Sequence, residues 1–124
     1  MQAYGQTDTG CVRTRNQDYI YFSPEQTGDL ENLFFLADGM GGYNGGEIAS
    51  KLAVQTAKNY IENNFKDIEK DKDSIIQLLG SSMEYANMVV YEKSKDMSVS
   101  FCMTLRACLF YRYNLHNFII VNLF

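Results

Sequence analysis

Leu33-Phe34-Phe35-Leu36-Ala37-Asp38-Gly39-Met40-Gly41-Gly42 is the stretch whose reading decides the fold. The run 33–37 is apolar, short and bounded by turn-forming residues, as a buried strand is. Asp38 follows at its tip, inside a glycine-rich turn. A carboxylate there is costly to desolvate unless it is paired, hydrogen-bonded or holding a cation. The glycines let the backbone approach a bound group and leave a carbonyl free to help hold it. The segment therefore points to a hard-metal site, of which it supplies one part.

On the N-terminal side, residues 19–23 (Tyr-Ile-Tyr-Phe-Ser) have the aromatic and β-branched content of a strand. Residues 24–32, with Gly28 and Asp29, read as a hairpin loop, and residues 2–9 as a further short strand. On the C-terminal side, residues 43–46 lead into a helix over 47–64. Its apolar stripe is Ile48, Leu52, Ala53, Thr56, Ala57, Tyr60 and Ile61. The mixed-charge stretch 66–73 reads as a solvated connector. Ser74 with Gln77 resembles a capping box opening a second helix to about residue 95, with Ile75, Leu79, Met83, Ala86 and Val90 on one face. Residues 101–113 and 116–124 read as two strands around Asn114-Leu115. Strands, two helices, then strands give an α+β class with helices layered on a sheet.

The chain has 124 residues, enough for one small domain, and 46% hydrophobic content, enough for it to fold. A net charge of −4, with its eleven Lys and Arg scattered, argues against nucleic-acid binding. The three cysteines, Cys11, Cys102 and Cys108, form no CxxC pair and suit reduced thiols in a cytoplasmic protein. No signal peptide or membrane span is apparent; the apolar run 118–121 is far too short for one. Residues 118–124 (Phe-Ile-Ile-Val-Asn-Leu-Phe) form an apolar strand with no partner strand after it, so the expectation is an incomplete domain, or one that self-associates through this segment.

A second polar cluster lies upstream: Thr7-Asp8-Thr9-Gly10-Cys11-Val12-Arg13-Thr14-Arg15-Asn16-Gln17-Asp18. Arg13 has the planar fork that grips a phosphate, and Asp18 is suited to support a metal or its waters. The plainer reading is a polar loop in which Asp8 pairs with Arg13 and Asn16 caps a turn.

Taken together, the two clusters resemble the N-terminal part of the protein phosphatase 2C family, metal-dependent serine/threonine phosphatases of bacterial type. The matching pieces are Thr7-Asp8-Thr9-Gly10, Arg13, Asn16-Gln17-Asp18, Leu36-Ala37-Asp38-Gly39-Met40-Gly41-Gly42 and Gly45-Gly46-Glu47-Ile48-Ala49-Ser50. The resemblance implies a four-layer α-β-β-α sandwich, two antiparallel sheets flanked by helices, of which residues 1–124 form a single partial domain. It implies hydrolysis of phosphoserine or phosphothreonine by a water bridging two Mg²⁺ or Mn²⁺ ions, with a phosphoprotein from a Ser/Thr kinase as partner. By position, Asp38 bridges the metals, the Gly39 carbonyl ligates one, and Asp18 orients metal-bound water or sits close to a metal. Arg13 holds the substrate phosphate. Asp8 supports the site from behind the ligands, and Gln17 stands where many relatives carry a glutamate.

Two further departures bear on activity. Residues 99–104 (Val-Ser-Phe-Cys-Met-Thr) replace a small-residue segment, and relatives continue past 122–124 toward the aspartates that complete the metal site. Two divalent ions about 4 Å apart bring +4 against −2 from Asp38 and Asp18, so the chain alone is expected to hold at most one weakly bound, hydrated ion and to be inactive. Two other readings stand beside this one. One is a non-catalytic interaction or self-associating fragment. The other is a nucleotide-binding βα unit on Gly39-x-Gly41-x-x-x-Gly45, disfavoured by Asp38 facing the pyrophosphate and by the lack of a βαβ repeat.

Overall fold

The structure is a computed structural model that describes residues 4, 6–11, 15–23, 33–40, 45–97, 102–111 and 114–123. Four strands and two long helices follow in the order β1 (Asp18–Ser23), β2 (Leu33–Met40), α1 (Gly45–Asn64), α2 (Lys72–Met97), β3 (Cys102–Tyr111) and β4 (Asn114–Leu123), with a 3-10 turn at Phe65–Asp67 between the helices. The strands form one antiparallel sheet in the order β1-β2-β3-β4. α1 packs on β1, β2 and β3, and α2 packs on α1 and β4. The α+β class is as expected. The described residues form two layers, one sheet and one pair of helices.

The alternation along β2 explains the layering. Leu33, Phe35, Ala37 and Gly39 are buried, whereas Leu36, Asp38 and Met40 are exposed. Successive side chains in a strand point to opposite faces, so one face of β2 meets the helices and the other carries Asp38. The core consists of Phe35, Leu33 and Leu105 from the sheet, Ala49, Ala53, Val54, Ala57 and Ile61 from α1, and Ile75, Leu79, Met83, Ala86 and Val90 from α2. All five predicted core residues of α2 are buried.

α1 is rotated slightly from the predicted stripe. Gly46, Ala49, Ser50, Ala53, Val54 and Ala57 are fully buried, while Ile48, Leu52 and Tyr60 flank the core half-buried. The inward face is the narrow one, because a helix lying close on a sheet needs small residues at the contact. The closest approach is at Gly39 on β2. A Cβ built there would overlap the Gly46 carbonyl oxygen and Ser50 Oγ on the first turns of α1. Conversely, a Cβ on Gly46 would lie 2.7 Å from Gln17 Oε1 and 2.8 Å from the Gly39 carbonyl carbon.

Several boundaries differ from expectation. β2 runs on through Gly39 and Met40, so Asp38 lies inside the strand rather than in a turn after it. Pairing with β1 reaches Asp38, and pairing with β3 carries the ladder on through Gly39 and Met40. The described part of 2–9 (Tyr4 and residues 6–9) is not a strand; it leads into a turn at Gly10, whose φ of 77° suits glycine. β4 begins at Asn114, so 114–115 is strand and not turn. The antiparallel sheet contains no parallel βαβ unit among the described residues, which removes the basis for the dinucleotide reading. Residues 118–123 lie on β4, an edge of the described sheet; Phe124 falls outside the described residues.

The connector between the helices is more ordered than a solvated charge run. The Lys70 ammonium donates to the carbonyls of Phe65 and Ile68 and lies 4.2 Å from the Phe65 ring centroid. A basic group at a helix end satisfies carbonyls that lack intrahelical partners. α2 is capped by Asp71 in place of the expected Ser74–Gln77 box: Asp71 Oδ1 accepts from the Ser74 backbone N–H at 2.9 Å and Oδ2 from the Ser74 hydroxyl at 3.0 Å. Ser74 thus sits in the first turn as a donor to the cap.

Two predictions follow from the packing and the cap. Gly39→Ala should lower the urea unfolding free energy by about 1–3 kcal/mol, the range for overpacking, since the obstructing atoms include backbone; an unchanged midpoint would contradict the close contact. The hydrogen bonds from the Ser74 N–H and hydroxyl hold the Asp71 carboxyl below its usual 3.8. Its charged form therefore stabilises the fold fully above the ordinary carboxylate range, and that contribution is lost as pH falls through the lowered value. The difference in thermal midpoint between wild type and Asp71→Asn should be constant from neutral pH down to that range and shrink below it; a difference growing toward low pH would contradict the cap.

Candidate metal site on the outer sheet face

Antiparallel register places Asp18 of β1 directly opposite Asp38 of β2. Opposed residues in such a pair share a face, with Cβ atoms about 4.5–5.5 Å apart. Asp38 is exposed and Asp18 half-buried. By register the same row continues through Thr104 on β3 to Asn122 on β4. Two like charges in direct opposition are destabilising in water and favourable around a cation. The donor set is oxygen only, which suits Mg²⁺, Mn²⁺ or Ca²⁺ rather than a softer metal. Among the described residues, no group of three or more His, Cys, Asp or Glu is gathered in a metal-holding cluster.

The segment before β1 holds Asp18 in place. Thr7 Oγ1 donates to Asp18 Oδ2 at 3.2 Å, and Asn16 Nδ2 donates to Thr7 Oγ1 at 2.7 Å. Asn16 Oδ1 in turn accepts from the Asp18 backbone N–H at 3.0 Å, a turn in which the side chain closes on the backbone two residues on. On the helix side, the Ser50 hydroxyl donates to the Gln17 carbonyl at 2.6 Å.

The structure brings some of the predicted site residues together and separates others. Asp18 and Asp38 are paired at one end of β1 and β2, and Gly39, next along β2, pairs with Met103 of β3. Gln17 has its side chain against Gly46 on the helix side, so the missing charge of a glutamate is missing there and not in the carboxylate row. Asp8 shapes its own turn: Oδ1 accepts from the Gly10 N–H at 2.7 Å. Thr7, its neighbour, makes the contact to Asp18. Arg13 lies outside the described residues. The residues that sequence reasoning passed over are Thr7 and Ser50. Both stood in quoted motifs without a role, and Ser50 also lies off the predicted apolar stripe.

A groove of about 510 Å³ on the helix layer is lined by Leu52, Met88, Val89, Glu92, Lys93 and Asp96. It includes none of the predicted site residues, and Glu92 there has a salt-bridge partner in Lys95 at 3.4 Å.

Comparison with known proteins identifies the family. The family model for protein phosphatase 2C matches residues 12–112. The protein phosphatase PhpP of Streptococcus pneumoniae is 48% identical over 48 residues, covering 39% of this chain and 19% of PhpP. A protein phosphatase 2C-type protein of Streptococcus pyogenes is 33% identical over 76 residues, covering 60% of this chain and 30% of its own length. The chain therefore spans less than a third of these relatives. Among solved structures, the serine/threonine phosphatase PstP/Ppp of Mycobacterium tuberculosis superposes with a TM-score of 0.69 at 25% identity, over 94% of this chain and 44% of that one. The PstP catalytic domain in complex with two manganese ions gives 0.64 at 27% identity, over 86% of this chain and 41% of that one. With a family match across most of its length and the motif residues set at one end of the sheet, the chain belongs to the protein phosphatase 2C family.

Proposed function

We propose that this chain carries the Asp18–Asp38 side of the active site of a metal-dependent phosphatase acting on phosphoserine and phosphothreonine in proteins. The observation that supports this best is the direct opposition of the two carboxylates across β1 and β2, in a protein phosphatase 2C chain that has a manganese-bound structural neighbour. The two described layers are then half of a four-layer sandwich.

Mg²⁺ or Mn²⁺, when bound, supplies a nucleophilic water at neutral pH and neutralises charge on the phosphoryl oxygens. The chain's own residues do the rest. Asp38 and the Gly39 carbonyl hold the cation, and Asp18, fixed by Thr7 and Asn16, orients water beside it. Arg13 grips the substrate phosphate. Asp8 shapes the loop that carries Thr7, and Gln17 braces the strand against α1. Two carboxylates set −2 against the +4 of two ions, and ions about 4 Å apart repel strongly. One hydrated ion suits what the described residues offer. A cytoplasmic setting fits the uneven cysteine count and the exposed, unbridged Cys11. No helix among the described residues is long and apolar enough to cross a membrane.

Two measurements test the reading. Added Mn²⁺ should raise the thermal midpoint of the chain, and Asp38→Asn should abolish that rise. In chelator, the same substitution should stabilise the chain by roughly 0.2–1 kcal/mol by relieving the opposed charges. A midpoint indifferent to Mn²⁺ would overturn the site. Separately, the 124-residue chain with Mn²⁺ and a phosphothreonine peptide should release no phosphate above background. Turnover that vanishes in Asp38→Ala would overturn the charge count and leave the family reading intact.

A further inference from the structure

The Gln17–Asp18 peptide unit is gripped at both ends. Its carbonyl oxygen accepts from Ser50 Oγ at 2.6 Å, across 33 positions of sequence. Its N–H donates to Asn16 Oδ1 at 3.0 Å. The six atoms of a peptide unit lie in one plane, so fixing the C=O and the N–H fixes the orientation of the whole unit. That orientation sets the direction in which Asp18 leaves the backbone, and hence where its carboxylate stands relative to Asp38.

Ser50 is fully buried. Its Oγ also lies where a side chain on Gly39 would go, as does the Gly46 carbonyl. One hydroxyl thus touches the backbone behind Asp18 and abuts the backbone next to Asp38. A second fully buried serine, Ser82, serves as an internal reference. Its hydroxyl donates to the Leu79 carbonyl at 2.6 Å, three residues back in its own helix, and ties no strand to anything.

We propose that Ser50 is a positioning residue for the metal site, acting from the helix side of the sheet on carboxylates that stand on the opposite face. The proposal rests on Asp18 and Asp38 being the cation site. It assigns a metal-directed role to a side chain that touches neither the cation nor the substrate. Ser50 and Asn16 form the two jaws of a clamp on one peptide, and Thr7, held by Asn16, steadies the carboxylate beyond it.

The test compares Ser50→Ala with Ser82→Ala in the whole chain. Each removes one buried hydroxyl, and each should lower the thermal midpoint. Mn²⁺ affinity, read from the electron paramagnetic resonance signal of free Mn²⁺, should fall about tenfold to a hundredfold in Ser50→Ala, the usual cost of losing a partner behind a ligand. It should be unchanged in Ser82→Ala. Without metal, amide exchange at Asp18 should speed up in Ser50→Ala alone. Asn16→Ala removes the other jaw and should weaken Mn²⁺ binding in the same range, so the idea remains testable if Ser50→Ala does not fold. Equal Mn²⁺ affinities in wild type and Ser50→Ala, or equal losses in both serine variants, would overturn the positioning role while leaving the cation site standing. If the wild-type chain binds no Mn²⁺, both the cation site and the role built on it are overturned.

Discussion

The backbone of β2 reaches the first turns of α1 because position 39 has no side chain. That contact, with Gly46 and Ser50 on the helix side and Gln17 wedged beside them, decides where the sheet ends and the helix begins. A larger residue at 39 would push the helix off the strand, because two of the atoms in the way, the Gly46 carbonyl carbon and oxygen, belong to rigid backbone. Once β2 is pinned there, its alternation is fixed. Phe35 and Ala37 go inward with Leu105, and Asp38 goes outward. Pairing with β1 then sets Asp18 opposite Asp38.

The arrangement divides labour between the two faces of one sheet. The inner face is apolar and close-packed on α1, which contributes alanines where strands lie nearest and larger residues at its flanks. The outer face holds a like-charged pair that works against folding in the absence of a cation. Stability resides in the helix layer: a continuous stripe on α2 from Ile75 to Val90, the Asp71 cap and the Lys70 clamp on the turn between the helices. A like-charged pair on a well-packed support is how a site keeps its geometry before its ligand arrives.

Much of this was legible from residue order. Periodicity in α2 gave its buried face correctly, because Ile75, Leu79, Met83, Ala86 and Val90 are large enough to mark it. α1 was harder, since its contact face is made of Gly46, Ala49, Ser50 and Ala53, which hydropathy barely distinguishes from surface. The reading of Asp38 as a turn residue failed because glycine signals turns locally, whereas here Gly39 serves close packing inside a paired strand. Asp18 and Asp38 were each singled out by motif, but their opposition depends on strand register, a non-local property that a segment-by-segment reading does not reach. Thr7 and Asn16 act over nine positions through side-chain hydrogen bonds, and nothing in their spacing announces it.

The proposed function stands or falls on one claim: that a divalent cation binds this chain at the opposed carboxylates of Asp18 and Asp38. Nuclear magnetic resonance with sub-stoichiometric Mn²⁺ tests it most directly, because the paramagnetic ion broadens the signals of nearby amides. The account predicts that the amides of Asp18, Asp38 and Gly39 broaden first and together. Broadening centred instead on the acidic stretch around Asp67, Glu69 and Asp73, with the strand amides sharp, would contradict it.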